Sequence, residues 1–253
     1  MKPYLIVSPE YDITSGGIKV MWGLYGALLA KGVEVYMNCK PSGDVVAVYP
    51  EIWQGNPVGA TTVVRYILNK PGVMALTRNG QSTPGPTTFD PSDKIYVFSR
   101  IYDTFKVDFQ HILFLPVINL HIFKDQKKKR TKTCYLIGKG ENKMHHPKDS
   151  IELTRQFAHD QQALADLLNE CECIYGYDKM SAMYEVARLC GCRVKYYGGY
   201  DDDELALYEP GMNGFGTMRE DKVLYTDKFR KHYEDMIRTF NNHLDSFIDD
   251  TQV

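Results

Sequence analysis

Residues 172–197, ECIYGYDKMSAMYEVARLCGCRVKYY, change character twice within a short span. Glu172–Tyr175 and Arg193–Tyr197 read as strands, and Met180–Cys190 between them reads as an amphipathic helix. Strand, tight turn, helix and strand make a βαβ unit, which implies a parallel sheet and an α/β fold. Asp178 stands at the turn and Glu185 lies seven residues on, about two helical turns. That spacing predicts both carboxylates on one helix face, near its N-terminal half. A helix N-terminus favours phosphate through its free N–H groups and its dipole, while a carboxylate further along can accept hydrogen bonds from a ribose. The layout suits a nucleotide with a diphosphate and a sugar. The competing reading is a plain crossover whose acidic residues only cap and solubilise the helix.

Outward from this unit the same grammar recurs. Tyr4–Val7 is an apolar run that reads as a buried strand, followed by Thr14-Ser15-Gly16-Gly17, a helix over Ile18–Ala30 closed by Gly32, and a strand at Val33–Met37. Further strands are expected at Val45–Tyr49, Lys94–Phe98, His111–Leu115 and Thr133–Ile137. A helix is expected near Ala60–Leu68, a loop over Gln81–Pro91, and a helix from a capping box at Asp149-Ser150-Ile151-Glu152 to about Leu168. A glycine-rich loop surrounds Gly211–Gly216, and a long helix with apolar residues at helical spacing starts near Thr226. The turn Gly138-Lys139-Gly140 after the strand at Thr133–Ile137 mirrors Gly16-Gly17, and a helix is expected behind it. Two lysines there, Lys139 and Lys143, are either anion ligands or ordinary exposed side chains.

Composition excludes several classes. The chain has 253 residues, 43% hydrophobic and 25% charged, with a formal net charge of -2. Such a balance gives no global attraction to nucleic acid or anionic membranes. The basic block Lys127-Lys128-Lys129-Arg130 lacks interleaved aromatics and reads as a solvated turn rather than a nucleic-acid patch. No apolar run reaches spanning length, and the N-terminal MKPYLIVSPE does not read as a signal peptide, so the expectation is a cytoplasmic protein. Six cysteines include no C-x-x-C pair and read as free, mostly buried thiols. His145 and His146 diverge as neighbours and read as solvated loop residues, and Asp201-Asp202-Asp203 contains D-x-D only through composition. No metal is expected.

The string Glu185-Val186-Ala187-Arg188-Leu189-Cys190-Gly191-Cys192 resembles the Glu-Ala-x-x-x-Gly helix of GT-B glycosyltransferases, closest to an EAxxCGC variant. Tyr49-Pro50-Glu51, Gly55-Asn56-Pro57 and Val63-Val64-Arg65-Tyr66 with Leu68-Asn69 are similar to segments of bacterial enzymes of the rhamnan-synthesis type. The resemblance implies two Rossmann-like domains of GT-B type facing a cleft. Residues 1–120 would be the acceptor-side domain, 121–225 the nucleotide-sugar-binding domain, and 226–253 a C-terminal helix crossing back. It implies metal-independent transfer of a sugar from a nucleotide-sugar donor to a glycan or other carbohydrate acceptor. Glu185 would bind the donor ribose, and Ser181 and Ala182 would offer N–H groups to the diphosphate. Lys139 and Lys143 would contact the diphosphate too, and Gly16 and Gly17 would allow close approach. Asp178 would face the donor sugar, where the family more often has Glu. The chain is shorter than is usual for the family. Asp12 and Asp103 follow predicted strands and are the candidate catalytic carboxylates. Two other readings stand beside this one: a nonenzymatic nucleotide-binding or assembly protein on a reduced scaffold, and another Rossmann-type enzyme such as a nucleotide-sugar modifier. The absence of G-x-G-x-x-G argues against an NAD-dependent one.

Overall fold

The computed structural model describes residues 1–78, 81–141, 143–209, 223–224 and 228–252. The chain forms two compact units, Met1–Val117 with Met236–Val253, and Ile118–Asp235. The expected boundary at 225/226, the start of the last helix near Thr226 and the loop around Gly211–Gly216 fall outside the described residues.

Unit 1 holds β1 (Tyr4–Ile6), α1 (Gly16–Ala30), β2 (Val35–Met37), β3 (Val46–Pro50), β4 (Thr62–Ile67), the hairpin of β5 (Ala75–Arg78) and β6 (Gln81–Pro84), and β7 (Lys94–Val97). Five strands form a parallel sheet in the order β2-β1-β3-β4-β7. Both faces are covered, which is why these strands read as continuous apolar runs. Tyr4, Ile6, Val46, Val48, Val64 and Tyr66 face one core with Val20, Met21, Leu24 and Leu28 of α1. Leu5, Val45, Ala47, Tyr49 and Val63 face the other. Ser15 caps α1, its Oγ accepting from Ile18 N–H at 3.5 Å, and Gly32 takes the left-handed conformation (φ 72°) that ends it.

Unit 2 holds β8 (Lys132–Leu136), β9 (Ile151–Glu152), α2 (Gln161–Glu170), β10 (Cys171–Gly176), α3 (Ala182–Leu189), β11 (Arg193–Tyr196), α4 (Asp202–Ala206) and β12 (Val223–Leu224). Its sheet runs β12-β11-β10-β8-β9, parallel except for β12. The last helix, α5 (Phe229–Thr251), starts in unit 2, and its residues from Met236 onward belong to unit 1. There Phe240, Leu244, Phe247 and Ile248 join the core formed with α1.

Several expectations are corrected. The segment expected as a helix over Ala60–Leu68 is β4, all of whose residues are buried between β3 and β7. Its β-branched and aromatic residues, Thr62-Val63-Val64-Arg65-Tyr66-Ile67, favour the pleated surface over the apparent helical spacing. The capping box at 149–152 is absent. Ile151–Glu152 pairs with β8 instead, a 3-10 turn follows over Arg155–His159, and α2 begins at Gln161 with Asp160 accepting from Ala163 N–H at 2.9 Å. Among the described residues no helix follows the Gly138-Lys139-Gly140 turn directly. Of the strand expected over His111–Leu115, Ile112 to Leu115 are buried, and among the described residues the segment makes a single bridge, Ile112 to Val97. Gln81–Pro84, expected as loop, is a hairpin strand.

The Tyr49–Pro57 segment acquires a packing role. Arg65 is buried between the rings of Tyr49 and Phe89, 5.0 and 5.2 Å from their centroids. It pairs with Asp93 at 2.6 Å and donates to the carbonyls of Trp53 and Gly55. Asn56 accepts from Ala60 N–H at 3.1 Å and donates to the Ala60 carbonyl at 2.8 Å, closing the same loop. A buried guanidinium needs such a full set of acceptors to be tolerated.

Of the six cysteines, Cys39 is exposed and Cys134, Cys171, Cys173, Cys190 and Cys192 are buried, all free. Burial pushes the Cys173 and Cys190 thiols up to about 12. A thiol-disulfide reagent therefore titrates Cys39 rapidly in the native protein and the other five only on unfolding. Fast labelling of several thiols under native conditions would contradict the packing of unit 2.

Candidate functional site

In unit 2 the chain lays β9 on one side of β8 and β10 on the other. The edge beyond the carboxyl ends of β8 and β10 is thus a topological switch point, the place where open parallel sheets commonly bind ligands. Three turns meet there. The first is Gly138-Lys139-Gly140 after β8, the second Tyr177-Asp178-Lys179 after β10, the third Gly198-Gly199 after β11. Asp178 laces the first two together. One carboxylate oxygen accepts from Lys139 N–H at 3.0 Å and the other from Met180 N–H at 3.1 Å. Its carbonyl accepts the Tyr184 hydroxyl at 2.6 Å. The Tyr196 hydroxyl donates to the Lys179 carbonyl at 2.8 Å.

Glycine is required by these contacts. A side chain at Gly138 (φ 55°) would strike the Asp178 carboxylate, one at Gly140 the Tyr177 carbonyl, and one at Gly198 the Asp178 carbonyl. Gly176 likewise leaves room for the Tyr184 ring.

Helix α3 starts behind this edge. Ser181 is its N-cap, with Oγ accepting from Met183 N–H at 3.2 Å, and Ala182 is its first residue. Their N–H groups precede the first intrahelical bond. Asp178 lies outside the helix, held in a turn by its own carboxylate, so it does not share a helix face with Glu185 as the spacing predicts. Lys139 and Lys143 are exposed. Lys179, absent from the sequence reading, is exposed in the same turn, its ammonium 5.6 Å from the Tyr200 ring centroid. Its place directly after Asp178 was the available signal.

Glu185 is 5% exposed and turns into a buried polar cluster. Burial pushes the Tyr233 phenol far above its ordinary range, and the charges of Glu185 and Glu209 add to this. Arg188, one turn further along α3, pairs with Glu209 at 2.6 Å, both side chains fully enclosed, and lies 3.6 Å from the Phe229 ring centroid. His232 Nε2 stands 3.5 Å from Glu209. Three residues of this cluster (Glu209, Phe229 and His232) come from sequence far from α3.

On one face of the sheet, Tyr135, Tyr175, Tyr177 and Tyr197 form an aromatic layer with Cys173 and Ile137. Both histidines stack on it, His146 half-buried and His145 exposed as expected of a loop residue. His146 stacks on Tyr135 at 3.8 Å with Nδ1 2.8 Å from the Tyr177 hydroxyl, and His145 stacks on Tyr197 at 4.5 Å. Asp201 caps α4 in a reciprocal box with Glu204. Among the described residues no group of three or more His, Cys, Asp or Glu could hold a metal ion.

The remaining candidates belong to unit 1. Gly16 and Gly17 are the first residues of α1, and neither has positive φ. Gly16 has nothing near the place of a side chain, and Gly17 only Leu68 at ordinary contact. The Asp12 carboxylate accepts from Thr14 N–H at 2.8 Å and its hydroxyl at 2.6 Å. Asp103 accepts from Phe105 N–H at 3.0 Å and Val107 N–H at 3.1 Å, and pairs with Arg100 at 3.2 Å. Both carboxylates brace their own loops.

Sheet order, parallel strands and glycine turns define a mixed α/β protein whose sheets are consistent with Rossmann-like folds. No family model matches this chain, and neither a curated protein nor a solved structure matches it. Among the described residues no helix is long and apolar enough to cross a membrane.

Proposed function

We propose that the chain is a glycosyltransferase that takes a sugar from a nucleotide-sugar donor without a metal and passes it to a carbohydrate acceptor. The observation that supports this most is the laced edge of unit 2, where Asp178 holds the glycine turn of Lys139 against the start of α3. That edge offers what a diphosphate needs: lysines at 139 and 179, and unshared N–H groups at a helix start. As the sugar leaves, negative charge grows on the diphosphate, and fixed cations and dipoles stabilise it. In this reading units 1 and 2 correspond to the acceptor-side and donor-side domains of a GT-B enzyme. The family resemblance gives Glu185 the ribose, whereas the structure buries its side chain in the polar cluster of unit 2, so its role is tested apart from that of the edge.

A titration of UDP-, GDP-, ADP- and dTDP-sugars by calorimetry, with and without EDTA, tests this. One of them binds saturably regardless of EDTA, and Glu185→Ala weakens that binding at least about tenfold, or about 1.4 kcal/mol. Silence across the panel sinks the donor site. Unchanged affinity in Glu185→Ala sinks only that residue's role.

The second reading is a nucleotide-binding or assembly protein without transferase activity. It is favoured by the engagement of Asp12 and Asp103 in their own loops, which leaves neither carboxylate as a ready acceptor base. Binding of a nucleotide sugar with neither transfer nor hydrolysis supports this reading.

A further inference from the structure

Two tyrosines stand behind the laced edge of unit 2, and each holds one carbonyl of the Asp178-Lys179 turn. Tyr184 is fully enclosed and Tyr196 is 4% exposed. Tyr184 is the third residue of α3, and a helical side chain leans toward the N-terminus, which aims its hydroxyl back over the helix start at the turn. It donates to the Asp178 carbonyl at 2.6 Å. Tyr196 ends β11 and meets Tyr184 edge-on, the ring centroids 5.9 Å apart. Its hydroxyl donates to the Lys179 carbonyl at 2.8 Å and accepts from Tyr200 N–H at 3.2 Å, which ties the second turn to the third. Among the described residues no main-chain N–H bonds to either carbonyl.

The neighbouring glycines make room for this arrangement. A side chain at Gly176 would strike the Tyr184 ring, and one at Gly198 would strike both the Tyr196 hydroxyl and the Asp178 carbonyl. Burial pushes both phenols above their ordinary range, so each stays protonated and donates throughout the physiological pH range. With its main chain held from behind, Asp178 keeps its carboxylate turned forward, where it accepts from Lys139 N–H and Met180 N–H. Packing alone would need the two rings but not their hydroxyls.

We propose that Tyr184 and Tyr196 are positioning residues for the donor diphosphate, a role that presupposes the diphosphate reading of that edge. Their hydroxyls fix the turn that carries Lys179, and through the Asp178 carboxylate they fix the turn of Lys139. Both cations thus stand on ordered main chain before the ligand arrives. A cradle ordered in advance loses less binding energy to the ordering of loops.

Tyr184→Phe and Tyr196→Phe keep both rings and remove one hydroxyl each. Amide hydrogen exchange in the ligand-free protein reads the turns: Tyr184→Phe speeds exchange at Lys139 and Met180 about tenfold, the size of one buried hydrogen bond. Calorimetry with inorganic pyrophosphate, at a temperature where parent and variants are fully folded by circular dichroism, shows affinity about tenfold weaker in each variant. A merely structural role lowers the melting temperature but leaves the affinity of the folded protein unchanged. Equal affinity in parent and variants therefore overturns the proposal, as does unchanged exchange at Lys139 and Met180. A parent that leaves pyrophosphate unbound overturns the diphosphate reading and this role with it. Exchange, which needs no ligand, tells that failure apart from failure of the tyrosine contacts.

Discussion

Replacing Arg188 with alanine destabilises unit 2 by about 3–5 kcal/mol, the usual result of breaking an enclosed ion pair from one side. Arg188 and Glu209 are both fully enclosed, at 2.6 Å. Without the guanidinium, Glu209 keeps a charge that, among the described residues, His232 at 3.5 Å is placed to offset. The Phe229 ring also loses the cation packed over its face. Chemical denaturation monitored by circular dichroism measures the loss. The double variant Arg188→Met with Glu209→Leu separates charge from packing. It recovers most of the stability, because two apolar side chains of similar size need no partner. If Arg188→Ala costs under about 1 kcal/mol, the pair is not enclosed as described.

The second large effect is expected at Gly140. Its α-carbon lies against the Tyr177 carbonyl, so a methyl group meets main chain on the neighbouring turn, not a side chain that can swing aside. Gly140→Ala therefore pushes the turn away from Asp178 and destabilises unit 2 by about 3 kcal/mol. Gly26→Ala has the opposite sign. Gly26 sits in the middle of α1 with nothing within 4 Å of a new methyl group, and alanine there adds up to about 1 kcal/mol of helix propensity. Denaturation midpoints of the two variants should move in opposite directions from the parent. A neutral Gly140→Ala would mean that the turn and the Asp178 loop are not in contact.

Much of the fold was legible because parallel strands covered on both faces leave short apolar runs, as at Tyr4–Val7 and in β10 and β11. The α1 helix announced itself through Ser15 before it and Gly32 after it. The failures share a physical cause. At 60–68 apolar spacing alone could not separate a helix from a buried strand, and β-branching was the better guide. At 149–160 an apparent capping box competed with sheet pairing, and the edge of β8 claimed Ile151 and Glu152 first. Of the candidate site, the glycine turn and Ser181 were readable, since each is a local signal. Asp178 was readable as a turn residue, but its separation from the helix face of Glu185 was not, because its carboxylate accepts from N–H groups of the turns instead of facing along the helix. The Glu185–Arg188–Glu209–His232 cluster was invisible for another reason. It is assembled from segments dozens of residues apart, and only the tertiary fold joins them.

The division of α5 between the two units sets an order of events on the ribosome. Phe240, Leu244, Phe247 and Ile248 complete the core beneath α1, yet they are synthesised after all of residues 118–235. The strands and α1 of unit 1 precede residues 118–235, so the part of the apolar face that α5 covers waits until the later unit has emerged. During that interval the nascent chain depends on whatever shields that part of the face, and the docking of α5 completes the core of unit 1.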